Sequence, residues 1–286
     1  MKKIVMCPNP YRDRNFRYVR EAAEVLNKAG VETRICLSFD VDPTFELPQD
    51  IPLYDLQEEL KTADALICFG GDGTILHASK SAAEFGLPIL GVNIGTVGFM
   101  AELESSEISL LSKLATDDYV LDERMTLCVD VFRDGEKVFS ETALNDAVIT
   151  KGAVARVIQA IISCDKVEIM NFSGDGVIIA TPTGSTAYSM SAGGPIVEPA
   201  ADSILITPIC AHEVHSRGIV VSSERCVEIS IGRIARRNAF LSVDGGKAFR
   251  VLSTDRIRIV RAPAKTKLIK IKNNSFFDLV NMKLNK

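Results

Sequence analysis

The chain has 286 residues, 47% of them hydrophobic, with a net charge of −4. That is enough apolar material for one large or two ordinary domains and argues against disorder. It gives no electrostatic reason to expect nucleic acid, and no apolar run approaches the roughly 18 residues that span a bilayer.

The first part of the chain reads as alternating strand and helix. Lys3–Cys7 is a first strand rather than a signal peptide, because only a few apolar residues precede Pro8. Asp13–Ala29 has Phe16, Val19, Ala23 and Leu26 on one side of a helix that Gly30 stops. A strand over Val31–Leu37 follows, then a polar, proline-punctuated connection over Ser38–Pro52. The runs Ala65–Phe69 and Ile89–Val92 continue the pattern, and a helix over Glu104–Leu114 closes it. Strands separated by helices imply a parallel sheet with covered faces.

From about residue 120 short β-like runs dominate. Thr126–Arg133 and Glu136–Thr142 flank Asp134-Gly135, a hairpin signal. Further runs are Ala155–Ser163, Lys166–Asn171, Val177–Ala180, Ser203–Ile206, Cys226–Ile231, Ala239–Val243, Arg256–Val260 and Lys267–Ile271. We therefore expect an N-terminal Rossmann-like α/β domain over 1–118 and a β-sandwich-like domain over 119–272. A C-terminal helix within 273–286, read over Ser275–Leu284, packs back. The seven cysteines are scattered and never spaced C-x-x-C, so they read as small hydrophobes in a reducing, cytoplasmic setting.

Four motifs carry chemistry. Gly70-Gly71-Asp72-Gly73-Thr74 follows a buried strand and opens a helix over Ile75–Phe85, with Thr74 at or near its N-cap. Glycines there let a ligand approach the main chain, and a helix start favours anions. A carboxylate in such a turn would repel a bare phosphate. It makes sense if Asp72 takes a proton from a hydroxyl being phosphorylated, or reaches a metal ion on the phosphate. A plain strand-to-helix turn is the bland alternative. No G-x-G-x-x-G follows this strand and no Walker A loop occurs, so another phosphate cradle is implied.

The second motif, Thr181–Pro195, packs seven hydroxyls and three glycines into fifteen residues without a charge. It is either a serine-rich turn or a neutral lining for ribose, base and phosphate. Gly91–Phe99 is another glycine-rich turn at a strand end, the kind of crevice edge where α/β sheets bind ligands. Asn145-Asp146 interrupts a strand-like run and is either an edge-strand polar pair or part of a site. His77 and His215 read as structural, and the arginines of Gly232–Asn238 as solvated charge.

Together these residues resemble the NAD kinase family, which phosphorylates the 2′-hydroxyl of the adenosine ribose of NAD to give NADP. The resemblance spans the chain and rests most on GGDGT (70–74) paired with TPTGSTAYSMSAGGP (181–195). GVNIGTVGF (91–99), ALND (143–146), TPICAH (207–212) and SVDGG (242–246) add to it. GGDGT alone is shared with lipid kinases, and phosphofructokinases have a close relative of it.

The resemblance implies that Asp72 is the general base, with Gly73 against the substrate. It implies that Asn145 and Asp146 hold adenosine, and that Asp175, Thr186, Ala187, Tyr188 and Ser191 line the dinucleotide site, with Arg156 near the substrate. Asp244 and His212 match the family without a defined role. The family usually has Asn-Glu where this chain has Asn145-Asp146, which shortens the acid's reach by one C–C bond. The resemblance further implies NAD and ATP as substrates, Mg²⁺ delivered with ATP rather than by a protein metal site, and a homodimer or homotetramer. The substrate site is expected between the two domains.

Overall fold

The computed structural model describes residues 1–95, 98–152, 157–212, 217–232 and 239–284. The chain divides into two compact units, Met1–Glu123 with Thr266–Lys286, and Arg124–Lys265.

The first unit is built on one sheet. Its order is Glu32–Ile35, Lys3–Pro8, Ala65–Gly70, Ile89–Asn93, Thr266–Lys270 and Val120–Arg124, with Leu103–Glu104 beside Ile89–Asn93. The pairings among the first four strands are all parallel. The central strands have both faces covered, so Ala65–Gly70 and Ile89–Asn93 are buried throughout, whereas the edge strand Glu32–Ile35 is not. Ile4, Met6, Ile67 and Leu90 face Val19, Ala22 and Leu26 of the helix Arg17–Lys28 and Ile108, Leu111 and Leu114 of the 3₁₀ segment Ser105–Thr116. The helix Asp72–Glu84 packs its buried Ile75 onto Gly91, where a Cβ would lie 2.3 Å from the Ile75 Cδ1. Three cysteines take core positions: Cys7 sits in register with Cys68, and the Cys36 amide bonds the Met6 carbonyl. Burial pushes the Cys36 and Cys68 thiols up to about 12.

The first helix begins later than its apolar spacing suggests. Asn15 and Phe16 take left-handed backbone, and the buried Asp13 carboxylate accepts the Tyr18 and Val19 amides at 2.9 and 3.0 Å. That acid reaches over the entry turn, so the regular helix runs Arg17–Lys28.

The second unit is two six-stranded antiparallel sheets. One runs Val167–Gly174, Ile158–Cys164, Val227–Ile231, Arg256–Arg261, Leu127–Arg133 and Glu136–Ala143. The other runs Ile219–Ser222, Ser203–Ile209, Gly176–Ala180, Asp146–Lys151, Ala239–Val243 and Phe249–Val251. Alternate residues of both sheets, including Val129, Ile162, Ile229, Ile149, Ile179 and Leu241, form one core. Asp134 and Gly135, with φ of 50° and 88°, make the expected two-residue hairpin turn.

One strand falls outside the expected β domain. Thr266–Lys270 pairs in parallel with Ile89–Asn93 in the first unit's sheet. The cause is Glu102, whose side chain is 3% exposed. It accepts the Ile271 and Lys272 amides at 2.8 and 2.6 Å and pairs with Lys270 Nζ at 2.6 Å. No local pattern in 266–271 could have shown that partner. The chain then ends in the helix Phe276–Leu284, which returns to the same unit and lays Lys283 on Phe99.

Replacing Glu102 by Gln leaves a part-buried ammonium without its counter-charge. We expect a loss of about 3 kcal/mol in stability, read as a lower urea midpoint at unchanged slope. An unchanged midpoint would mean that the ion pair does not hold the returning strand.

Candidate active site

Two glycine-rich turns meet at the ends of neighbouring parallel strands, where Gly70 is in register with Asn93. Gly71 is the N-cap and the helix starts at Asp72, three residues before the expected cap at Thr74 and start at Ile75. Thr74 does not cap because its hydroxyl turns back, accepting Asn9 Nδ2 at 3.2 Å. It lies where a side chain at Gly70 would begin, 2.2 Å from a Cβ built there.

Asp72 is held directly by backbone amides. One carboxylate oxygen accepts the Phe99 amide at 2.7 Å and the other the Met100 amide at 3.1 Å. Only glycine at position 98 allows this, since a Cβ there would fall 2.0 Å from the Asp72 Oδ1. Charge-assisted bonds of this kind are strong and directional. The carboxylate still borders a cleft of about 700 Å³, alongside Gly71, Gly73, Thr74, Asn9, Arg12, Phe39, Asp40 and His77. Arg12 reaches in between the glycine turns and bonds the Ile94 carbonyl at 3.4 Å. The cleft therefore offers first-turn helix amides, a guanidinium and an oriented carboxylate, a set suited to a phosphate and a hydroxyl.

In the second unit the comparable anchor is Asp244. Its carboxylate accepts the amides of Leu144, Asn145 and Asp146 at 2.7, 2.8 and 3.0 Å, from a turn in which Asp244 and Gly245 both have positive φ. Those three bonds stop the strand Asp146–Lys151 from starting earlier and fix the two side chains before it. The Asn145 carbonyl also accepts Thr181, and Gly184 lies against it, where a Cβ would come within 2.1 Å. Asn145 Oδ1 is buried and without a hydrogen-bond partner. Such an acceptor is costly unless a ligand donates to it. Asp146 is 5% exposed, and its carboxyl is raised to about 7, first by burial and then by the Asp244 charge.

The ATP-NAD kinase N-terminal domain matches residues 9–119, and the ATP-NAD kinase C-terminal domain residues 144–271. An NAD kinase of Ruminiclostridium cellulolyticum is 35% identical over 99% of this chain and 98% of its own. One of Lachnoclostridium phytofermentans is 37% identical over 99% of both. The chain belongs to the NAD kinase family. Solved structures agree: yeast NADH kinase complexed with NADH has a TM-score of 0.86 at 25% identity, covering 100% of this chain and 88% of that one. An Archaeoglobus fulgidus NAD kinase in complex with ATP has a TM-score of 0.75 at 25% identity, covering 100% and 99%.

With the family known, the expected site residues sort by position. Asp72 and Gly73 line the cleft, and Asn145 and Asp146 sit together in the second unit. The hydroxyl loop divides between the two readings open for it. Thr181 bonds the Leu144 carbonyl, Ser185 the Val197 backbone, Thr186 the Thr183 carbonyl, and Ser189 the buried Thr207 hydroxyl, while Thr183 accepts Arg124. Most of these hydroxyls thus build the loop instead of facing a ligand. Tyr188, 44% exposed, and Ser191 are the ones that face outward, with Thr186 and Ala187 partly exposed beside them.

Asp175 stands apart from the Asn145–Asp146 pair. Asp146 is in register with Ala180, while Asp175 precedes Gly176 at the other end of that strand and ion-pairs Lys151 at 2.6 Å. Arg156 and His215 lie outside the described residues, as does 233–238 of the arginine-bearing loop. Arg12 was missed because a lone arginine after a strand has no signature. The role of Asp244 was missed because its partners are a hundred residues away.

Asp146 makes a pH prediction. Its native carboxyl titrates near 7 while an unfolded Asp titrates near 4. The native state therefore binds the extra proton between those values, and stability falls as pH rises from about 4 to 7. Asp146→Asn should flatten that fall, so its melting temperature gains on the parent at about pH 8 and not at about pH 4. An equal difference at both pH values would contradict this.

Proposed function

We infer that in this NAD kinase, which transfers a phosphoryl group from ATP to NAD, Asp72 takes the proton from the 2′-hydroxyl of the adenosine ribose. The observation that carries the reading is the carboxylate's placement: both oxygens are fixed by backbone amides, yet the group borders the cleft. Each oxygen keeps a free lone pair for a hydroxyl. A ribose hydroxyl is a very weak acid, so the proton moves late, and most of the acceleration comes from positioning and electrostatics.

The first-turn amides of the helix Asp72–Glu84 and the Arg12 guanidinium balance the phosphate charge that Asp72 alone would repel. Asn145 Oδ1, an acceptor without a donor, suits an adenine amine. Asp146 suits ribose hydroxyls, accepting from one when ionised and donating to one when protonated. Tyr188, Ser191, Thr186 and Ala187 present the outward side of the hydroxyl loop to the same ligand.

Among the described residues no group of three or more acidic, cysteine or histidine side chains could hold a metal ion. In this reading the divalent cation comes with the ATP phosphates and keeps its waters, neutralising charge there. Asp40 and Asp72 are the acidic groups on the cleft wall. We assign the enzyme to the cytoplasm as a homodimer or homotetramer. Among the described residues no helix is long and apolar enough to cross a membrane.

Asp72→Asn keeps one amide contact through its remaining oxygen, gives up the other because its nitrogen is a donor, and removes the base. We expect kcat for NADP formation to fall by roughly 10²–10⁴, with KM for NAD within about twofold. Normal turnover in that variant would remove Asp72 from the proton transfer. Failure of the parent enzyme to make NADP from NAD, ATP and Mg²⁺ would overturn the whole reading.

A further inference from the structure

The C-terminal helix brings a cation to the loop that holds Asp72. Lys283 Nζ lies 3.9 Å from the centroid of the Phe99 ring, within cation–π range. Phe99 is the residue whose amide makes the shorter of the two bonds to the Asp72 carboxylate, at 2.7 Å. Gly98, immediately before it, has to be side-chain-free for that bond to form. A loop that needs glycine next to its donor has little intrinsic stiffness. On its far side Met100 is buried and the Glu102 amide bonds the Gly91 carbonyl, while Lys283 is the contact on the Phe99 ring itself.

We propose that Lys283 is a positioning residue for the phosphoryl transfer, pinning Phe99 so that the Phe99 and Met100 amides hold the Asp72 carboxylate toward the cleft. The inference rests on the reading of Asp72 as the base. Lys283 touches the ring, not the substrate, so its effect belongs in kcat and not in KM.

Its titration supplies a signature. Burial lowers the Lys283 ammonium below the ordinary lysine range, opposed by the carboxylates of Asp72, at the helix start, and Glu104, on the strand Leu103–Glu104. As pH rises through that lowered value the ring loses its cation and the loop its pin. Turnover should therefore decline on the alkaline side before an ordinary lysine would titrate. Arginine at 283 keeps the charge to higher pH and stacks on aromatic faces.

The test is steady-state NADP formation by the full-length enzyme and its Lys283→Met, Lys283→Arg and Asp72→Asn variants, across pH, with melting temperatures. We expect Lys283→Met to lower kcat by about three- to thirty-fold with KM for NAD and ATP unchanged. Lys283→Arg should restore kcat and move the alkaline decline upward. The proposal is overturned if Lys283→Met turns over like the parent, if arginine fails to restore it, or if the alkaline decline stays put in the arginine variant. An active Asp72→Asn enzyme would instead overturn the base assignment, whatever Lys283 does.

Discussion

A carboxylate held by two backbone amides is the constraint on which the first unit is organised. Asp72 stands at the first position of a helix, where its charge suits the helix dipole but would meet an incoming phosphate head-on. The Phe99 and Met100 amides draw it aside and fix both oxygens. That arrangement needs the strands Ala65–Gly70 and Ile89–Asn93 to be parallel neighbours, so that both following turns emerge at one edge. It also needs Gly98, since any side chain there would occupy the carboxylate's place. Two motifs that look independent in sequence are thus halves of one device.

The second unit repeats the physics with a different purpose. Asp244 spends its carboxylate on three amides and so sets the backbone that presents Asn145 and Asp146. Asp146 is the contrast. It lies buried beside the Asp244 charge, which is why its proton affinity rises to near neutrality. A buried acid beside another negative charge holds its proton to higher pH. The Asn-Asp pair is consequently sensitive to pH.

How much was legible follows from which interactions are local. The strand, the glycine turn and the helix after it are visible in residues 65–85 because apolar runs, glycine and helix spacing are all short-range signals. The hairpin at Asp134-Gly135 is equally local. What sequence could not show is long-range. The strand Thr266–Lys270 reads like its β-rich neighbours, yet joins the parallel sheet because Glu102 receives the backbone just after it. The hydroxyls of 181–191 read either as a turn or as a ligand lining, and only the fold shows that Leu144, Val197 and Thr207 engage Thr181, Ser185 and Ser189. The start of the helix at Asp72 was misplaced because Thr74, a good cap in isolation, is engaged by Asn9. Arg12 and Lys283 carry no motif and are found only by where they end up.

The most direct measurement is a crystal structure of the enzyme with NAD bound. An Asp72 carboxylate oxygen is expected about 2.6–3.2 Å from the ribose 2′-oxygen, with the Phe99 and Met100 amides still on the carboxylate. A 2′-hydroxyl facing another group, with Asp72 turned away across solvent, would contradict it.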